Sequence, residues 1–371
     1  MISNKIQSFV LLISLMIFYS GCTTTITKIE KNILKDGKYD GEFPYADATG
    51  TFEEILNSVK LINSMAFFET YVFDRAQNIS FDKKDFEKIK KRAVEVEHFH
   101  DTFSGTGTVI YSDNEHALLL TCAHLLNFPD TTVTYFVNDD GTFSGYVESI
   151  IIKVKQTNFL PELSDGIVVN ILAKDDDLDL ALVGNTFSPP NLMKLHTLNF
   201  PIGNPAELNW GSLVYLFGYP LNNKLITRGI VSKPLKKKTD YFLLDAVINR
   251  GFSGGPVFAI RDGVPNFEFV GIIRSTFAEK RFLLKPSDQE SYTPNIPYEG
   301  KIYVKRDYKF KYGVSKVIPV NVIAEFIKSN KDVLIRKGFF TREFFRKKTD
   351  PPQKKGELFN YIINFNKQQV K

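Results

Sequence analysis

The sequence predicts an all-β domain of barrel or sandwich type, roughly 210 residues long and beginning near Gly105. Two observations carry this expectation. From Gly105 onward, short apolar runs follow one another between turn residues: TVIY, ALLL, TVTYFV, GYVESIIIKV, GIVVNIL, LALV, SLVYLFGY, GIVS, YFLLDAVI, PVFAI and FEFVGII. No alternation of strands with long helices interrupts them, so a parallel α/β sheet is not expected. A chain of 371 residues with 43% hydrophobic content can bury a sizeable core.

The elements are justified in chain order. At the start, MISNKIQSFVLLISLMIFYSGCTTT has a short positive region at Lys5 and an apolar run from Phe9 to Tyr19, too short to span a bilayer comfortably. Ser20 and Gly21 directly before Cys22 resemble the bacterial lipobox, with Tyr19 where leucine is usual. Cys22 is then the lipidated first residue of the mature chain. The competing reading is an uncleaved anchor with an incidental cysteine. Either way the body is expected outside the cytoplasm, in the bacterial envelope and held at a membrane.

The expected division is 1–21 signal peptide, 22–50 polar tether, 51–103 helix, strand and basic insertion, 104–330 β domain, and 331–371 basic tail. Thr51 to Glu54 has the form of a capping box, with Phe52, Ile55, Leu56, Val59 and Ile62 at helical spacing after it. Ala66 to Phe73 is strand-like, and Lys83 to Arg92 is a basic helical insertion. Ile318 to Asn330 predicts a closing helix with Val322, Ile323, Phe326 and Ile327 on one face and Pro319 in its first turn. The residues after it are too few for an appended PDZ-type domain.

Net charge is +5, but from Arg336 to Lys371 ten Lys/Arg stand against three Asp/Glu, a local +7. The rest of the chain is close to neutral, which argues against a nucleic-acid-binding body. Two cysteines, Cys22 and Cys122, exclude a disulfide framework.

The chemistry centres on GFSGGP, residues 251 to 256. A serine between glycines fits both the elbow of α/β-hydrolases and the nucleophile turn of trypsin-like peptidases. A serine hydroxyl needs a base, usually a histidine oriented by a carboxylate. An α/β-hydrolase orders them serine, acid, histidine. All five histidines here (His98, His100, His116, His124 and His196) precede Ser253, so that reading fails. The order histidine, aspartate, serine remains: His124 in LLLTCAHLL, Asp179 in DLDLALV, and Ser253 in DAVINRGFSGGPVF, separated by 55 and 74 residues.

With these three motifs, the stretch from Ser104 to Asn330 resembles trypsin-like serine peptidases of the chymotrypsin fold, in particular the bacterial Deg/HtrA type and its stand-alone relatives. GTGTVI, NWGSLVYLFGYP, ITRGIVS and VGII fit the same pattern. The resemblance implies an all-β fold of two six-stranded barrels with a C-terminal helix. It implies a serine endopeptidase that hydrolyses polypeptide with no cofactor and no metal. It assigns His124 as base and acid, Asp179 as its orienting partner, Ser253 as nucleophile, and the N–H groups of Gly251 and Ser253 as the oxyanion hole. Asp177 is the rival acid; otherwise it shares a solvated turn with Asp175 and Asp176. Val247, Ile248 and Asn249, with Arg274, Ser275 and Thr276 opposite, are the expected walls of the specificity pocket. No acid stands at its base, which disfavours Lys or Arg and suggests a small or medium apolar side chain; Arg274 could instead favour an acidic one. Phe252 occupies the position where animal digestive relatives carry aspartate, so activation by N-terminal cleavage is not expected.

Lesser candidates are Cys122, a reactive thiol or, the preferred reading, a small buried hydrophobe behind the histidine turn; His98 and His100 in EHFHD, a metal-binding pair or, with no third ligand nearby, solvated residues; and Asp245, either a site-shaping or a strand-end carboxylate. The competing functional class is a catalytically inactive peptidase-fold lipoprotein that binds a partner. The sequence leaves oligomeric state open.

Overall fold

A computed structural model describes residues 35–345, apart from 45, 164–165, 188–194, 237–240, 287–292, 294 and 301–302. The lipobox, Cys22 and the distal part of the basic tail therefore lie outside the described residues.

Two antiparallel barrels form the body. The first comprises β1 (Val59–Val72), β2 (Glu95–Ser112), β3 (His116–Thr121), β4 (Thr131–Val137), β5 (Phe143–Leu160), β6 (Ile167–Asp175) and β7 (Leu180–Thr186). Their order is β1-β2-β3-β7-β6-β5, with β5 pairing back onto β1 to close six strands and β4 added on β5. The second barrel comprises β8 (Leu213–Gly218), β9 (Leu225–Lys233), β10 (Phe242–Ala246), β11 (Pro256–Ile260), β12 (Phe267–Lys285) and β13 (Tyr303–Pro319). It closes in the order β10-β13-β12-β11-β8-β9.

The unbroken apolar runs have a physical cause. Strands usually alternate because one face is wet. Here β3, β7, β8 and β11 lie between the barrels and are buried on both faces. Ala117 and Leu119 of β3 point into the first barrel, whereas Leu118 and Leu120 join the core between barrels. Likewise Val257 and Ala259 of β11 fill the second barrel while Phe258 and Ile260 face the core between them.

Several elements extend the sequence reading. The first barrel starts at Val59, well upstream of residue 104, because β1 is the strand that closes it. The helix α1 (Thr49–Asn57) begins two residues before the expected capping box, and its N-cap Ala48 makes no side-chain cap bond. Instead Asp47 Oδ1 accepts from the N–H and the hydroxyl of Thr49. Val59 and Ile62, placed on the helix by spacing, belong to β1. The insertion holds a five-residue helix, α2 (Phe86–Lys90).

The expected tether is docked at its end. Asp40 N–H donates to the Ile260 carbonyl, and the Tyr39 hydroxyl donates to Glu268 Oε2 at 2.6 Å. The closing helix α3 (Val320–Ser329) buries Val322, Ile323, Phe326 and Ile327 as expected. After α4 (Lys331–Arg336), the start of the expected tail packs down: Phe339 and Phe344 are buried in the core between the barrels.

Candidate active site

The site lies where loops of the two barrels meet. β3 ends at Thr121, and a 3-10 turn, Ala123–Leu126, carries His124. Asp179 ends the turn from β6 to β7. Asp175 Oδ1 tightens that turn by accepting the N–H groups of Asp177 and Leu178. Asp179 sits in the left-handed region at φ 59°, which aspartate tolerates better than most residues.

His124 Nδ1 lies 2.9 Å from Asp179 Oδ2, and the His124 N–H donates to Asp179 Oδ1 at 2.9 Å. The carboxylate is 8% exposed and the imidazole 40%. A buried carboxylate is costly unless donors surround it. Asp179 has three: the His124 ring, the His124 N–H, and Arg274 Nε at 3.2 Å. Asp177, the rival acid, is exposed in its turn.

Ser253 comes from the loop between β10 and β11 and is partly exposed. Its hydroxyl makes no hydrogen bond among the described residues. Such bonds are often long without substrate and tighten in the complex. The two turns are knit through backbone instead. Thr106 N–H donates to the Ser253 carbonyl at 2.8 Å, and Thr121 Oγ1 donates to the Thr106 carbonyl. Gly254 N–H and Cys122 Sγ share one acceptor, the Ile273 carbonyl, at 2.8 and 3.2 Å.

The glycines are dictated by close approach. Gly251 and Gly254 have φ of 108° and 85°. A Cβ on Gly251 would collide with the Tyr219 carbonyl, and one on Gly254 with that of Thr106. The N–H groups of Gly251 and Ser253 donate to no acceptor among the described residues. The Arg250 carbonyl accepts from Leu221 N–H at 3.3 Å, so the Gly251 N–H of that trans peptide points away from Leu221.

Sequence reasoning missed Thr106. It is fully buried, its hydroxyl donates to the Gly251 carbonyl at 2.6 Å, and it accepts from Tyr219 N–H at 3.0 Å. The signal was a lone polar residue between the glycines of GTGTV.

The expected pocket residues do not converge as a group. Val247 is 72% exposed, Ile248 is buried in the core of the second barrel, and Asn249 is exposed. Ser275 and Thr276 lie on β12, but their side chains are outside what is described. Arg274 turns its guanidinium to Asp179 rather than standing clear as a pocket wall. Phe252 packs beneath the turn in the second core, and Asp245 is exposed on β10.

Cys122, His124 and Asp179 each bring a potential ligand atom within 4.8 Å of the others. The donor chemistry opposes a cation there. Burial, followed by the Asp179 charge, pushes the Cys122 thiol well above its ordinary range, and a guanidinium already occupies the carboxylate.

Two closed six-stranded barrels, with a histidine–carboxylate pair from one and a glycine-bounded serine from the other, define the chymotrypsin class of fold. Residues 105–272 match the family model of the trypsin-like peptidase domain. Over these residues the chain is similar to that family, whose domain is a peptidase domain and acts on polypeptide. The match begins within β2 and ends within β12, so β1 and β13, which close the two barrels, lie outside it. No curated protein matches the chain.

Proposed function

We propose that the chain is a serine endopeptidase using His124, Asp179 and Ser253. The observation that carries this reading is the buried Asp179 carboxylate bonded to His124 Nδ1, beside the turn that bears Ser253. Asp179 holds the tautomer whose proton is on Nδ1, which leaves Nε2 free to take a proton. Nε2 removes the Ser253 proton as Oγ attacks the scissile carbonyl. The N–H groups of Gly251 and Ser253 receive the developing oxyanion. The imidazolium then gives its proton to the leaving amine, and water, activated by the same base, releases the acyl group. The inactive alternative is not favoured, because it assigns no role to the Asp179–His124 bond beside the serine turn.

A small or medium apolar residue beside the cut is preferred, since Arg274, the cation that would read an acidic side chain, is engaged by Asp179. The domain is held at the membrane by lipid on Cys22, a reading supported by Ser20-Gly21-Cys22 after the apolar run. Among the described residues no helix is long and apolar enough to cross a membrane.

The test is hydrolysis of casein and of a peptide library by the full chain and by Ser253→Ala. Cleavage by the first alone, at apolar sites, is expected. No cleavage by folded wild type defeats the reading.

A further inference from the structure

We propose that Arg274 is a positioning residue of the catalytic machinery: its guanidinium holds the outer oxygen of Asp179 and sets the pH range over which His124 is free to act as a base. This rests on the endopeptidase reading above.

Three observations carry it. First, Arg274 is the extra residue of a β-bulge: Ile273 pairs with Val317 and Ser275 with Lys316, leaving Arg274 without a partner on β13. Bulges re-aim a side chain out of the sheet's alternation. Second, the re-aimed chain crosses from the second barrel to the first. Nε donates to Asp179 Oδ2 at 3.2 Å and Nη2 to the Asp177 carbonyl at 3.5 Å, so one side chain grips both the carboxylate and the turn that presents it. Third, both partners are sheltered, at 29% and 8% exposed, where charges are screened less than at the surface.

Among the described residues, one charged side chain bonds His124 directly. Asp179 is the only acid bonded to it among the described residues, and Cys122 beside it is a neutral thiol. On β6, Lys174 is paired with Asp176, and that pair is turned to Asn127. On β13, Lys316 lies over the Tyr241 ring. Arg274 is thus the cation on the far side of the carboxylate. Its charge offsets that of Asp179 and makes the imidazolium less favourable. Below the pH where His124 gains a proton the base is lost, so removing the guanidinium must move the acid limb of activity upward.

The experiment uses full-length protein with Arg274→Gln, Arg274→Lys and Arg274→Ala, folding checked by circular dichroism. Gln keeps a donor and most of the stem but loses the charge; Lys keeps the charge. The rate of fluorophosphonate labelling is followed from pH 5 to 9, because this small probe presents no side chain for a pocket to read. With Gln and Ala, the acid limb should rise by about one pH unit, with labelling at pH 6 falling about tenfold. With Lys it should stay near that of wild type.

In a Ser253→Ala background, the NMR titration midpoint of His124 should move by the same amount and in the same sense. That readout needs no activity, so it separates this proposal from the endopeptidase reading: unlabelled wild type defeats the latter, while the titration still decides the role of Arg274. An unmoved midpoint in folded Gln and Ala variants overturns the proposal. So does an unmoved limb joined to a selective loss of peptides with an acidic residue at the cut, which would make Arg274 a substrate-reading residue.

Discussion

The N–H of Thr106, on the first barrel, donates to the carbonyl of Ser253, on the second, at 2.8 Å. The same residue ties its hydroxyl to the Gly251 carbonyl and to Tyr219 N–H. One buried threonine therefore fixes the serine turn relative to the barrel that carries His124. Thr106→Val should leave two buried backbone groups unpaired and cost about 2–4 kcal/mol, with a fall in turnover. Thr106→Ser keeps the hydroxyl and should lose about 1 kcal/mol for its methyl. Urea unfolding of the three proteins checks both values. Equal stability of Val and Ser variants would contradict the account.

The three candidate catalytic residues should act as a unit. Ser253→Ala and His124→Ala should each abolish turnover, and the double variant should be no worse than either single one. Asp179→Asn preserves shape but favours the wrong imidazole tautomer, and should cost on the order of 10⁴-fold. Asp177→Asn, exposed in its turn, should change turnover by no more than a few-fold. Peptide hydrolysis measured across the set distinguishes the two acids.

Gly251→Ala would force a Cβ into the Tyr219 carbonyl at a φ of 108°. The peptide must rotate, and the Gly251 N–H leaves the position where it would meet the oxyanion. Turnover should fall about 10²-fold or more, with KM little changed. Steady-state kinetics on an apolar peptide gives the split.

The raised pKa of Cys122, caused first by burial and then by the Asp179 charge, keeps it a thiol at neutral pH. The thiolate is the reactive form, so folded protein should resist iodoacetamide at pH 8 and react only when unfolded. Mass spectrometry before and after guanidinium reads this directly; rapid labelling of Cys122 in the folded state would contradict it.

The histidine, aspartate and serine motifs were legible because each is local and their order excludes the rival hydrolase. The all-β class was legible because apolar runs between turns are a local signal too. The limits of the first barrel were not. Its closing strand β1 is followed by a long excursion through Arg92, and pairing with β5 is a contact across sequence that no local pattern announces. The helix boundary failed because Val59 and Ile62 satisfy helical spacing and strand burial alike. The position of Arg274 after VGII predicts a pocket wall. Its direction is set by a bulge against β13, which depends on register rather than on the residues nearby. The role of Thr106 has no local signature, because its partners, Gly251 and Tyr219, are more than a hundred residues away.

The most direct test is the site of fluorophosphonate labelling on the folded, full-length chain, mapped by tandem mass spectrometry. A single adduct on Ser253, absent in Ser253→Ala and strongly slowed in His124→Ala, is the predicted result. Folded wild-type protein that takes up no probe, or carries it on another serine while Ser253 stays unmodified, would contradict the assignment of Ser253 as nucleophile.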